Sequence, residues 1–198
     1  MTFRLGLTGS IGMGKTTTAR LFEELGCAVW DADEAVHRLY GKGGLAVEPL
    51  RDLFPDVIVD EKVSRERLKS LIFIDKSVLE KLESTVHPLV QKDRLQFTKS
   101  ARSDVIVFDI PLLFETGSDK EMDATACVFV SPEVQRERVL TRGTMTAQNL
   151  DTILARQMPS EEKCARATYV IETDSLEHAR VQVLEIFNEI TNRQSEAF

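Results

Sequence analysis

The sequence predicts an α/β fold in which helices flank an open, parallel sheet of five strands. A phosphate-binding loop pattern at residues 9–16 follows a short apolar run and precedes a helical pattern, which is the order that such a loop requires. Continuous apolar runs elsewhere are typical of parallel strands covered on both faces. Segments of helical periodicity alternate with these runs, so strands and helices are expected in turn along the chain.

The stretch GSIGMGKT at residues 9–16 fills every required position of the G-x-x-x-x-G-K-[ST] pattern. Backbone amides of such a loop and the N-terminus of the next helix attract phosphate oxygens. An ordinary glycine-rich turn is the alternative, and the flanking strand and helix disfavour it. We expect the phosphates of a nucleoside triphosphate to contact Lys15 and Mg²⁺ to bind the Thr16 hydroxyl. The expected ATP-binding residues of this loop are Ile11, Gly12, Met13, Gly14, Lys15, Thr16 and Thr17.

Composition restricts the class of protein. The 198 residues suffice for one domain, with room for an inserted subdomain. A net charge of -7 argues against a nucleic-acid-binding face. No signal peptide or membrane-spanning run is present, so we expect a cytoplasmic protein without a membrane partner. Cys27, Cys127 and Cys164 are widely spaced and lack a C-x-x-C pair, which predicts buried or idle thiols.

Two carboxylates follow the second predicted strand, Cys27–Trp30. Ligands of open parallel sheets bind outside the carboxyl ends of the strands, so Asp31 and Asp33 are expected at that crevice. Either one can instead cap the helix predicted over residues 34–40, as Asp often does. Both roles fit together if one residue caps the helix and the other takes part in chemistry.

Residues 41–102 change to helical periodicity, which predicts a helical insertion. Arg65 and Arg67 precede its first apolar face (Leu68, Leu71, Ile72), and His87-Pro88 follows the second (Leu79, Leu82, Val86). Surface charges on helices are usually only solvated, which is the favoured interpretation of Arg67. From the residues alone, His87 fits a packed turn histidine as well as a ligand contact.

The run from Val105 to Phe108 ends at Asp109 and fits a Walker B strand, whose acid holds Mg²⁺. A plain strand-end turn residue is the alternative. After the next strand, Ala126–Val130, a helix carries Gln135, Arg138 and Arg142 on one stripe. Such a stripe can be merely solvent-facing, but Arg142 precedes a Gly-containing hinge and can close over phosphates.

The last strand is predicted at Tyr169–Ile171, followed by a terminal helix. Asp174 is its expected N-cap, with Glu177 three residues later. The expected apolar face of this helix consists of Leu176, Ala179, Val183, Phe187 and Ile190.

Several of these segments together resemble the dephospho-coenzyme A kinase family. They are GLTGSIGMGKTT, WDAD, HRLY, SRERL, HPLV, PLLFE and the Q-x-x-R-x-x-x-R stripe, and they extend over nearly the whole chain. The resemblance implies a P-loop kinase fold with a core at 1–40 and 103–198, a helical substrate-binding insertion at 41–102 and a lid at about 143–160. It also implies a single kinase domain over 1–198.

The family reaction transfers the ATP γ-phosphate to the ribose 3′-hydroxyl of dephospho-coenzyme A, the final step of coenzyme A synthesis. The resemblance makes Asp33 the general base and assigns acceptor binding to Asp33, Arg65, His87, Pro111 and Leu112. The chain departs from the common family pattern at Ser64, Gly143 and Glu172-Thr173, and not all relatives have an acid at position 109.

The residues alone leave two alternatives. Other P-loop small-molecule kinases, for nucleosides, shikimate or nucleoside monophosphates, share the loop, the insertion and the lid. A GTP-binding switch module needs an N-K-x-D segment, and none of Asn149, Asn188 and Asn192 is followed by Lys, which disfavours that class.

Overall fold

A computed structural model describes residues 2–196 of the chain, and strands alternate with helices through most of it. The strands are β1 Phe3–Thr8, β2 Ala28–Asp31, β3 Ile58–Val59, β4 Lys62–Val63, β5 Val105–Asp109, β6 Ala124–Phe129 and β7 Tyr169–Glu172. The α-helices are α1 Lys15–Glu24, α2 Ala32–Tyr40, α3 Val47–Leu53, α4 Arg65–Ile74, α5 Ser77–Ser100, α6 Pro132–Thr141, α7 Ala147–Leu154, α8 Ser160–Arg166 and α9 Leu176–Glu196.

Five strands form one sheet in the order β2-β5-β1-β6-β7. Strand β1 is central and runs parallel to both β5 and β6, with Phe3 opposite Val105 and Leu5 opposite Ala124. Strand β6 is in turn parallel to β7. Every residue of β5 is buried, as expected for a strand covered on both faces. The predicted open, parallel, five-stranded sheet is confirmed.

Contacts divide the chain into two compact units, residues 1–30 with 101–198 and residues 31–100. The core of the first unit lies between the sheet and helices α1 and α9. Helix α9 buries Ala179, Val183, Ile186 and Ile190, which are spaced by three and four residues. The predicted face was wrong at Leu176, which is 55% exposed because it lies in the first turn, before the buried stripe.

The second unit has its own apolar core, to which Leu39, Leu50, Val57, Leu68 and Val86 contribute. It includes helix α2 together with most of the segment predicted as an insertion. It also contains the short antiparallel hairpin β3-β4, which helical periodicity did not predict because each strand has only two residues.

The interpretation of His87 as a turn residue was wrong. Helix α5 continues through Pro88, and both His87 and Pro88 are exposed on it. Proline cannot donate to the carbonyl of Ser84, four residues earlier. Because Ser84 is exposed as well, water can satisfy that carbonyl, and the helix tolerates the proline.

The predicted N-cap of the terminal helix was wrong by one residue. The Ser175 hydroxyl accepts the His178 amide at 3.1 Å, while the Asp174 carboxylate contacts the Ser175 amide and the His178 ring. Serine caps as readily as aspartate, so the sequence alone could not separate the two neighbours.

Gly6 leaves space at the centre of the sheet. A Cβ atom at this position would lie 2.9 Å from Leu113 Cδ2 and 2.9 Å from Met122 Cγ. Leu113 is fully buried, and it belongs to the turn that follows β5. The glycine thus lets this turn lie directly on β1.

Within residues 2–196, no helix is both long and apolar enough to cross a bilayer.

Candidate active site

The phosphate-binding loop lies between the end of β1 and the start of α1. Gly14 has φ +88° and immediately precedes Lys15, the first residue of α1. Gly12 has φ +80°, and a Cβ there would lie 2.4 Å from Val139 Cγ2. Both positions therefore require glycine, for backbone conformation and, at Gly12, for space.

Side chains from distant elements hold the carbonyl groups of this loop. Gln135 Nε2 donates to the Ile11 carbonyl at 2.7 Å, and Thr173 Oγ1 donates to the Met13 carbonyl at 2.7 Å. In a trans peptide the next N–H points opposite to the carbonyl. The two contacts therefore direct the amides of Gly12 and Gly14 away from Gln135 and Thr173. Sequence reasoning missed Thr173, because a threonine at a strand end carries no pattern of its own.

Lys15 and Asp109 form a mostly buried ion pair. Asp109 is the last residue of β5 and its side chain is only 1% exposed, whereas that of Lys15 is 15% exposed. Thr16 is exposed on the first turn of α1. Within the described part of the chain, no three His, Cys, Asp or Glu side chains come together as a metal cluster. The carboxylate predicted as a metal ligand thus contacts the P-loop lysine.

A cavity of about 560 Å³ opens beside the phosphate-binding loop. It brings together P-loop residues, the end of α6 and the segment after β7. Its lining residues are Gly12, Gly14, Thr17, Thr18, Val134, Glu137, Arg138, Thr141, Arg142, Thr173, Ser175, Leu176 and Ala179.

The three residues of the predicted stripe, Gln135, Arg138 and Arg142, do not all have the same role. Gln135 is buried against the P-loop, and Arg138 Nη2 donates to the Thr173 carbonyl at 2.7 Å. Arg142 is the exposed C-cap of α6 and lines the cavity. Arg138 and Arg142 both line the cavity, and Arg142 is the more exposed of the two.

The segment predicted as a lid begins with Gly143, which has φ +66°, and contains helix α7. Leu150 of that helix is fully buried. Arg136 of α6 and Asp151 of α7 pair at 2.7 Å. Helix α7 is therefore packed on α6.

The turn after β5 contains Pro111, Leu112 and Glu115. The Pro111 carbonyl accepts Thr8 Oγ1 at 3.1 Å and Lys163 Nζ at 2.8 Å, and Leu112 is 40% exposed. Lys163 also pairs with Glu115 at 2.9 Å. Desolvation raises the pKa of Glu115, but hydrogen bonds from Lys163 and the Met158 amide outweigh it, and the pKa is lower than usual. Sequence reasoning missed both helix α8 and its buried lysine.

Asp31 and Asp33 lie at the start of the second unit. The Asp31 carboxylate accepts the amides of Asp33 at 2.7 Å and Glu34 at 3.0 Å, so Asp31 is the N-cap of α2. Asp33 is exposed in the first turn of that helix. Helix capping therefore requires only Asp31, and the Asp33 carboxylate is not needed for it.

Two further predicted acceptor residues, Arg65 and His87, also lie in the second unit. Arg65 is exposed at the start of α4, with its Cζ atom 5.8 Å from the centre of the Tyr40 ring. Ser64 caps the helix by accepting the Arg67 amide at 3.3 Å, which is the role that an aspartate would have there. Arg67 donates to the Asp56 carbonyl at 2.8 Å. His87, the other of these two acceptor residues, lies on α5.

Two of the three cysteines contact each other. The sulfur atoms of Cys127 in β6 and Cys164 in α8 are 3.6 Å apart. Burial raises the pKa of the thiols of Cys127 and Cys164, and that of Cys27 to about 12. All three thiols are therefore protonated at neutral pH.

Comparisons with known proteins agree with this architecture. The family model described as dephospho-CoA kinase (CoaE) matches residues 3–178. A dephospho-CoA kinase of Ruegeria pomeroyi is 60% identical over 190 residues, which cover 96% of each chain.

Two solved structures have the same fold. Protein TT1252 of Thermus thermophilus has a TM-score of 0.85 at 31% identity, over 95% of this chain and 97% of that one. A dephospho-CoA kinase from Campylobacter jejuni has a TM-score of 0.71 at 22% identity, over 98% and 100% of the two chains. A P-loop kinase sheet, an intact phosphate-binding loop and these matches lead to one conclusion: the chain belongs to the dephospho-CoA kinase family.

Proposed function

We propose that the protein transfers the γ-phosphoryl group of ATP to the ribose 3′-hydroxyl of dephospho-coenzyme A and releases coenzyme A and ADP. Membership of the family supports this reaction. The observation that carries it is the braced phosphate-binding loop beside a cavity of about 560 Å³ lined by Arg142. Transfer of a phosphoryl group depends mainly on positioning and on neutralising charge, and this arrangement supplies both.

ATP binds, in this proposal, with its phosphates on the amides of residues 11–17 and its nucleoside in the cavity. The N-terminus of α1 adds partial positive charge. Lys15 and Arg142 neutralise charge on the transferring group, Lys15 from the loop and Arg142 from the end of α6. Thr17 lines the same cavity and is available as a hydroxyl contact.

The side chains near the phosphate site suit Mg²⁺. Thr16 offers an exposed hydroxyl and Asp109 a carboxylate, both hard oxygen donors, and Mg²⁺ commonly keeps several waters and uses few protein ligands. When bound, the ion would neutralise part of the phosphate charge. Lys15 contacts Asp109 directly, so this carboxylate also orients the lysine.

Dephospho-coenzyme A is proposed to contact Arg65, His87, Pro111 and Leu112, with Asp33 accepting the proton of its 3′-hydroxyl. The exposed Asp33 carboxylate is not needed as a helix cap because Asp31 has that role. Family resemblance supports these acceptor assignments. The cytoplasmic location and the lack of a nucleic-acid or membrane partner stay predictions.

A coupled assay of ADP release over a panel of acceptors tests the proposal. The panel contains dephospho-coenzyme A, adenosine, AMP and shikimate, each with MgATP. We expect turnover with dephospho-coenzyme A to exceed the others by about 100-fold or more in kcat/KM, because a site that hydrogen-bonds its acceptor strongly rejects analogues. Lys15→Ala serves as the inactive control. Comparable turnover with adenosine or AMP would contradict the assignment of the acceptor and favour a nucleoside or nucleotide kinase.

A further inference from the structure

Lys163 is the most unusual charged residue of the first unit, because its side chain is completely buried. A buried ammonium group is tolerated only where ion pairing and hydrogen bonds replace its water. Lys163 has both: Nζ lies 2.9 Å from Glu115 Oε1 and donates to the Pro111 carbonyl at 2.8 Å. Both partners belong to the turn that follows β5.

The Pro111 carbonyl is held from two directions. Thr8, at the end of β1, donates its hydroxyl to this oxygen at 3.1 Å, while Lys163 approaches from α8. The preceding residue, Ile110, is tied to the sheet because its amide donates to the Leu7 carbonyl at 2.9 Å. These contacts therefore fix the orientation of the peptide bond between Pro111 and the exposed residue Leu112.

The far end of the same turn is held by the segment that leads into α8. Glu115 Oε1, the oxygen that pairs with Lys163, also accepts the Met158 amide at 3.0 Å. Arg166, at the end of α8, stacks over the Phe114 ring with its Cζ atom 4.7 Å from the ring centre. The segment from Met158 to Arg166 thus contacts the turn at several points along its length.

We propose that Lys163 is a positioning residue for the acceptor: by fixing the Pro111 carbonyl and the Glu115 carboxylate, it holds the turn 111–115 in the shape that binds dephospho-coenzyme A. This inference rests on the proposed function, in which Pro111 and Leu112 contact the acceptor. If Lys163 were mainly structural, its loss would weaken the binding of both substrates and lower the stability together. A positioning lysine acts on the acceptor selectively.

The test is Lys163→Met, which keeps the length of the side chain and removes its charge, with exposed Lys120→Met as the matched control. We expect the KM for dephospho-coenzyme A to rise roughly 10- to 100-fold, since small displacements of a binding group have effects of that size. The Kd for ATP, measured by calorimetry, should change less than about twofold, because no P-loop contact is lost. A folded Lys163→Met protein with an unchanged acceptor KM, or with equal losses for both substrates, would overturn the inference.

Two further measurements apply if Lys163→Met fails to fold. The double variant Lys163→Met/Glu115→Gln also removes the carboxylate left without its partner, and it should fold and show the same selective rise in acceptor KM. In the wild-type protein, the ¹⁵N signal of the Lys163 ammonium should shift on addition of dephospho-coenzyme A and not on addition of ATP. A Lys163 ¹⁵N signal that does not shift on addition of dephospho-coenzyme A contradicts the inference. Wild-type protein that binds ATP but does not phosphorylate dephospho-coenzyme A would instead refute the proposed function.

Discussion

Asp31 and Asp33 are two residues apart, yet the structure gives them different surroundings. The Asp31 carboxylate is occupied by two backbone amides of α2, whereas Asp33 is exposed. A capping carboxylate contributes to stability, and a general base contributes to the rate of the chemical step. The two roles can therefore be separated by measurements on the two residues.

We predict that Asp33→Asn lowers kcat by about 10²- to 10⁴-fold, the usual contribution of a general base, with ATP binding and Tm near those of the wild type. Asp31→Ala is the matched variant. It should retain most activity and lose about 1 kcal/mol of stability, or roughly 2–4 °C in Tm for a chain of this length. The measurements are steady-state ADP release and thermal melting. An active but less stable Asp33→Asn protein would place the base elsewhere.

Among the elements, α6 and the end of β7 determine the shape of the phosphate-binding loop. Gln135 of α6 and Thr173 after β7 hold one loop carbonyl each, and Arg138 of α6 holds the Thr173 carbonyl. The loop is therefore supported by a chain of hydrogen bonds that joins two elements distant in sequence. The shape of the nucleotide site depends on these contacts as well as on the glycines.

Thr173→Val tests this support, because it keeps the shape of the side chain and removes the hydroxyl that donates to Met13 at 2.7 Å. We predict an ATP Kd that is roughly 3- to 30-fold weaker, since a buried carbonyl without a donor costs about 1–3 kcal/mol, part of which appears in binding. Tm should fall by a few degrees. Thr173→Ser keeps the hydroxyl and should bind ATP nearly as the wild type does. Equal ATP affinity in the valine and serine variants would exclude a role for this hydrogen bond.

At the scale of the whole molecule, each of the two compact units has a core of its own. The chain is acidic, with a pI of about 5.1, and its carboxylates make its stability depend on pH. Hydrogen bonds lower the pKa of Asp75, Glu133 and Asp174 as well as that of Glu115. Of these four groups, Glu115 has the contact with a fully buried ammonium.

Stability should decrease on acidification because of these groups. A carboxyl whose pKa is lower in the folded protein stabilises it above the unfolded pKa, here 4.5 for Glu115, and loses this contribution as the pH falls through the folded value. We therefore predict a Tm that is nearly constant from pH 7 to about 5.5 and falls below about pH 5. Glu115→Gln should make the dependence of Tm on pH less steep in that range, and Glu185→Gln is the exposed control. Identical slopes in the two variants would contradict the role of Glu115.

The fold was predictable from sequence because each of the five strands of its main sheet is a segment of four to six residues rich in apolar side chains. The phosphate-binding loop was predictable for a similar reason, since its chemistry is encoded in eight consecutive residues. The supports of the site were not predictable. Lys163 lies in a seven-residue polar helix, and nothing in that stretch indicates that the lysine is buried. The role of Thr173 depends on its contact with Met13, which lies 160 positions earlier in the sequence.

Gly6 has a consequence for how the family can evolve. Its missing side chain leaves the space that Leu113 and Met122 occupy on the central strand. A larger residue at position 6 would have to displace the Leu113 and Met122 side chains, unless position 113 or 122 became smaller at the same time. Substitutions at these three positions should therefore be inherited together. A relative with alanine or serine at the first position is expected to compensate at one of the other two.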